Sequence, residues 1–164
     1  MRRAPVAAAA LAILGAFALT GCGTHGLSFE LDQRVELEAP ANHADVHLPV
    51  TVRWTVDGFA TGTGAGSFGV LVDRTPPPPG KGLDWLFRDD DLCSAQGCSD
   101  PSYRAQRGVF QTDATDLVLD EITTRPDRGD ADEHEVTVIL LDRDGHRVGE
   151  GAWSRKLKVV GVGS

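Results

Sequence analysis

"PVTVRWTVD", residues 49–57, decides the fold. Val50, Val52, Trp54 and Val56 fall on one side of an extended chain, and Thr51, Arg53, Thr55 and Asp57 on the other. On a helix the same four apolar residues would be split between opposite sides. The segment is therefore a strand with one buried face, and such a face needs a second layer to cover it.

The alternation continues on both sides of this strand. Upstream, Leu27, Phe29 and Leu31, then Val35 and Leu37, alternate with polar residues, which predicts one half-buried strand or two pieces ending at Ala39-Pro40. Residues 41–47 are small and polar and read as a turn. Downstream, residues 58–66 carry four glycines and form a loop. "SFGVLVD" (67–73) is the next strand, with Phe68, Val70 and Val72 on one face. "GVFQT" (108–112) and "DLVLDEI" (116–122) are short strands. "HEVTVILL" (134–141) is apolar on both faces near its end and so reads as a central strand. "DRDGH" (142–146) is a tight connection with the Asp-Gly pair that primed hairpin turns prefer. Residues 147–160 supply the last strand or strand pair. No segment shows sustained helical periodicity. About seven short strands separated by turn signals predict an all-β, antiparallel β-sandwich.

Residues 75–107 interrupt that rhythm. Four prolines and a glycine open the stretch, and prolines do not occupy a central strand. Then come Trp85-Leu86-Phe87, the acids Asp89, Asp90 and Asp91, and Cys93 and Cys98. The apolar triplet is expected to fold back and pin this insert onto the sandwich, with a helical turn. If exposed, Trp85, Leu86 and Phe87 would instead form a contact surface.

"VTVRWTV" (50–56) resembles the second strand of the fibronectin type III domain, with Trp54 as its buried tryptophan. "HEVTVILLDRDGHRVGEG" (134–151) is similar to that family's sixth strand, hairpin and seventh strand, with His134 where the usual tyrosine would stand. The likeness covers residues 34–160 apart from the insert. It implies an immunoglobulin-like sandwich over 34–164 with a large insert after the third strand.

The amino-terminal residues read differently. Two arginines precede an apolar run over 6–19, which suits the core of a secretory signal better than a permanent membrane helix. The run ends in Leu19-Thr20-Gly21-Cys22, which resembles the lipobox of bacterial lipoproteins. That resemblance implies cleavage of residues 1–21, a lipid on the Cys22 thiol, a tether over 22–33, and a protein held on the extracytoplasmic side of a membrane. Each buried methylene of an acyl chain contributes about 0.8 kcal/mol, so two or more chains hold firmly.

The whole chain carries 16 basic and 24 acidic side chains; without Arg2 and Arg3 the formal charge becomes −10. This balance argues against nucleic acid and against lying flat on anionic lipid. Cys22, Cys93 and Cys98 are the three cysteines. With Cys22 acylated in an oxidising compartment, Cys93 and Cys98 are expected to form a disulfide. Metal or redox use remains open, though the C-x4-C spacing departs from both C-x-x-C redox motifs and four-ligand zinc patterns.

Each weaker signal has an ordinary structural role beside it. "AGSFG" (65–69) nearly matches a nucleophile elbow, but a glycine loop precedes Ser67 and a strand follows it, where the elbow wants strand then helix. The glycine loop lacks a Gly-Lys-Ser/Thr ending. Asp142 to Gly145 suits a hairpin turn better than a calcium loop. Asp89, Asp90, Asp91 and Asp100 are weak calcium candidates, and otherwise solvated acids. His43, His47 and His134 could meet around a metal only through the fold. No motif calls for a cofactor, and no nucleophile and base are paired in the pattern. The expectation is a lipid-anchored envelope protein, a non-catalytic binding or assembly module with a protein or envelope-polymer partner. The alternative is a calcium-binding envelope protein using Asp89 to Asp91.

Overall fold

Alternation becomes strands wherever one face can be covered. β1 (Val35–Ala39), β3 (Val50–Val56) and β6 (Asp116–Leu119) form a three-stranded antiparallel sheet in the order β1-β3-β6. β2 (Ala44–Val46), β8 (Trp153–Val159), β7 (Glu133–Leu141), β4 (Ser67–Val72) and β5 (Val109–Thr112) form the second, in the order β2-β8-β7-β4-β5. This computed structural model describes residues 32–91, 93, 98–126 and 130–161. The chain divides into two units, Met1–Glu30 and Leu31–Ser164. The first lies outside the described residues, and with it the apolar run, Cys22, Leu27 and Phe29. Among the described residues no helix is long and apolar enough to cross a membrane.

The two sheets meet across the predicted core. Val52 and Trp54 from β3, Leu37 from β1 and Leu119 from β6 pack against Phe68 and Val70 from β4, Val138 and Leu140 from β7, and Leu157 from β8. Trp54 is 1% exposed, and its ring meets Phe68 edge-on with centroids 5.2 Å apart. Burying each such large side chain contributes about 1.5–3 kcal/mol. The sandwich expectation therefore holds, and the strand order is that of an immunoglobulin-like domain.

Three expectations need correction. The described residues hold eight strands where about seven are expected, and the insert follows the fourth strand, β4, not the third. Residues 41–47 are not merely a turn: β2 lies within them and pairs in parallel with β8, Ala44 opposite Leu157 and Val46 opposite Val159, so the second sheet is mixed. A three-residue strand was illegible because its alternation is too short to register. The 142–146 connection is not a primed turn, since types I′ and II′ both need positive φ at the first central residue. Here Gly145 alone of that stretch has positive φ, at 80°, and its N–H bonds the Asp142 carbonyl at 3.0 Å. That is an ordinary turn closed by a left-handed glycine.

The insert covers part of the outer face of the five-stranded sheet. β4 and β7 are apolar on both sides because Leu71, Ile139 and Leu141 point away from the main core. They pack with Leu83, Phe87, Cys93, Tyr103 and Val109 in a second cluster. Gly69 makes this approach possible: a Cβ there would lie 2.9 Å from the Ile139 side chain and 3.2 Å from Leu83. The insert itself holds a 3-10 turn, Leu83–Phe87, and a short helix α1, Pro101–Ala105. Asp100 caps α1, accepting from the Ser102 N–H at 2.9 Å, with Pro101 in the first turn where its missing N–H costs nothing.

Candidate functional site

The insert makes the surface of this protein distinctive, so the site is built from it outward. Cys93 and Cys98 are disulfide-bonded, with Cα atoms 4.8 Å apart. The staple expectation is met. Closing so small a loop stabilises by about 2 kcal/mol at most. Cys93 is buried in the second cluster and Cys98 packs at its edge, so the bond anchors the insert from its tip.

The apolar triplet divides. Phe87 is 2% exposed and meets Tyr103 edge-on at 5.7 Å. Leu86 is half-buried against the same cluster. As a three-residue contact surface the triplet fails, because burial of Phe87 is what holds the insert down. Trp85 is half-buried as well, with the Arg88 guanidinium 3.5 Å from its ring centroid.

The acids divide as well. Asp89 is largely exposed and pairs with Arg88 at 3.2 Å. Asp90 accepts a short hydrogen bond from the Tyr103 hydroxyl and pairs with Arg107 Nε at 3.3 Å. Asp100 is the helix cap. Asp91 has its own interaction. Among the described residues no three His, Cys, Asp or Glu side chains gather as a metal site. His43 sits in a left-handed turn position and His47 lies against Gly161. His134 is engaged elsewhere, with Asp73.

Asp73 is the pivot of the face beside the insert. It follows β4 with φ of 54° and its side chain is 1% exposed. Its carboxylate accepts from Thr124 Oγ1 at 2.9 Å and from the Glu135 N–H at 2.9 Å. It also faces His134 Nδ1 at 2.6 Å, which places a proton on that nitrogen. A hydrolase would place its hydroxyl on the imidazole, with the acid behind. Here the Thr124 hydroxyl meets the acid instead. Thr137 and Ser154 pair with each other at 2.8 Å, and Ser67 accepts from Gln111 at 3.0 Å. Thr123, Thr124, Thr137, Ser154 and Ser67 thus each have a structural partner.

Two open clefts flank the strap formed by Asp73, Arg74 and Thr75. One, about 550 Å³, lies over the uncovered part of the second sheet, with Thr137, Ser154, Glu135 and Lys156 on its floor. The other, about 510 Å³, lies between the strap, the insert and residues 123–125. Its walls carry Arg74, Arg88, Arg107 and Arg125 together with Trp85 and Gln106. The 123–125 wall is fixed by Thr123, which donates to the Gln106 carbonyl at 2.7 Å, and by Thr124 on Asp73. These arginines were not legible as a group. They are separated by 14 to 19 residues, and only the sandwich topology brings them to one rim.

No protein-family model matches the chain, and no curated protein matches it in sequence. Among solved structures, fibronectin(III)-like modules of Clostridium thermocellum CbhA align with a TM-score of 0.37 and 16% identity. The alignment covers 76% of this chain and 94% of that one. At that score the likeness adds nothing to what the strand order already shows.

Proposed function

We propose that this protein is a lipid-anchored, non-catalytic binding module of the cell envelope, with a fibronectin type III-like sandwich as its frame. The observation that carries this reading is the insert. Residues 75–107 bring their own buried cluster and disulfide to the outer face of a sandwich that already has a complete core. Rigid framing of an exposed polar surface is what recognition sites need. The lipobox-like Leu19 to Cys22 stretch supports anchoring, and the pairing of nearby hydroxyls with structural partners supports a non-catalytic role.

One fractionation and capture experiment tests both halves. Cys22→Ser should move the protein from membrane to soluble extract, while Trp85→Ala should keep it at the membrane and lose at least half of the captured envelope partner. Membrane retention of Cys22→Ser would remove the anchor. An unchanged partner with Trp85→Ala would move recognition away from the insert. Point changes are preferable to removing the insert, since deletion would uncover Leu71, Ile139 and Leu141.

A further inference from the structure

We propose that the cleft ringed by Arg74, Arg88, Arg107 and Arg125 binds an anionic polysaccharide of the envelope. This rests on the binding-module reading and names the ligand class.

The charge distribution is the first argument. The chain has an excess of eight acidic side chains, yet four of its 16 basic groups line one cleft of eleven residues. The only acid in that lining is Asp73, whose carboxylate is buried and occupied by Thr124, His134 and the Glu135 N–H. Asp89 and Asp90 reach Arg88 and Arg107 from outside the lining. Arg74 and Arg125 are in no ion pair among the described residues. Both are exposed.

Three of the four cations are also held, which a solvated surface does not require. Arg74 Nε donates to the Arg107 carbonyl at 3.1 Å, so two like charges share one rim. Arg107 stacks on Tyr103 at 3.7 Å and Arg88 on Trp85 at 3.5 Å. Stacking uses the guanidinium faces; the Trp85 carbonyl and Asp89 take part of the Arg88 edge, and the Tyr103 carbonyl and Asp90 part of the Arg107 edge, so only the remaining N–H groups are left for an anion. Grouping like charges is unfavourable in the empty protein and becomes favourable when an anion enters.

The rest of the lining selects a sugar chain over a peptide. Thr75, Thr123, Thr124 and Gln106 are hydroxyls and an amide, and Leu86 and Trp85 are the apolar members. Thr123 and Thr124 donate into the fold, so their oxygens retain lone pairs for sugar hydroxyls. A peptide would want apolar pockets for alternate side chains. The overall negative charge disfavours a stiff duplex polyanion lying along the surface, whereas one flexible chain can enter one cleft. Carboxylate and phosphodiester groups both fit a guanidinium edge.

The test is affinity electrophoresis of the full chain in neutral detergent through gels holding a defined polymer. The probes are polygalacturonate, a phosphodiester-linked polyol, neutral dextran and poly-glutamate. At least one anionic sugar polymer should retard the protein, and dextran should not. Which polymer acts fixes whether carboxylate or phosphate is the group read. Arg74→Ala with Arg125→Ala should weaken retardation at least about tenfold. The variant's unfolding midpoint should shift little, since both side chains are exposed and Arg74 gives up one exposed hydrogen bond. Equal retardation of the double variant overturns the proposal, as does retardation by poly-glutamate alone or by nothing. If polyanions fail while Trp85→Ala still loses an envelope protein, the glycan is wrong and the binding module stands.

Discussion

Tyr103 reports on the insert at the level of a single side chain. Burial raises its phenol pKa above the ordinary value, the hydrogen bond it donates to Asp90 raises it further, and nearby Arg107 partly offsets both. A raised value in the folded state means that the neutral phenol stabilises the fold below about pH 10 and that this contribution is lost as pH rises through the folded-state value. Tyr103 is the only tyrosine in the chain, so phenolate absorbance reads it without interference. The expected midpoint lies above about 10, and Asp90→Asn should bring it down. A midpoint at or below 10 would show that the phenol is not held as described. At this scale the sequence was partly legible. The cysteine count, with Cys22 set apart for a lipid, pointed to the Cys93–Cys98 bond, and Phe87 announced its burial. The Asp90–Tyr103 pair did not announce itself, because the partners are 13 positions apart with a disulfide between them.

Between elements, the tie that matters most is Arg147. The sequence places it at the start of the last strand region, where a charged residue reads as solvated. It is instead 8% exposed. One terminal nitrogen donates to the Pro77 carbonyl at 2.6 Å and the other to Glu150 and Gly151 carbonyls at 2.7 and 3.3 Å. The guanidinium thus fastens the proline strap to the chain entering β8. Its pKa is lowered by burial, yet arginine stays charged throughout the working range. Arg147→Met keeps the stem and removes the donors, leaving the buried Pro77 carbonyl and two part-buried carbonyls without them. It should lower unfolding free energy by about 2–3 kcal/mol, measured by urea titration. Lysine should not rescue it, because one ammonium cannot reproduce the planar fork. An unchanged midpoint would mean that the strap is held by packing alone. Strand positions themselves were legible from period-two alternation, as at Val50 to Val56. The reason that β4 and β7 are apolar on both faces was not. It lies in the insert, whose prolines mark a break without saying where the chain goes next.

Taken whole, the molecule is a sandwich whose second sheet has been partly reroofed. The frame was readable because each strand carries its own evidence locally. The arginine cleft was not, since Arg74, Arg88, Arg107 and Arg125 belong to three separate segments and share no spacing rule. The parallel pairing of β2 with β8 carries one more consequence. Strands that run the same way, pulled from residue 32 at one end and residue 161 at the other, load their rungs side by side instead of opening one at a time. The rungs here include Val160 N–H to the Val46 carbonyl at 2.8 Å and His43 N–H to the Lys156 carbonyl at 2.6 Å. Single-molecule extension should therefore meet a distinct force peak before the core yields, and Val46→Pro, which distorts this short ladder, should lower it. A peak of the same height in that variant would place the mechanical resistance elsewhere.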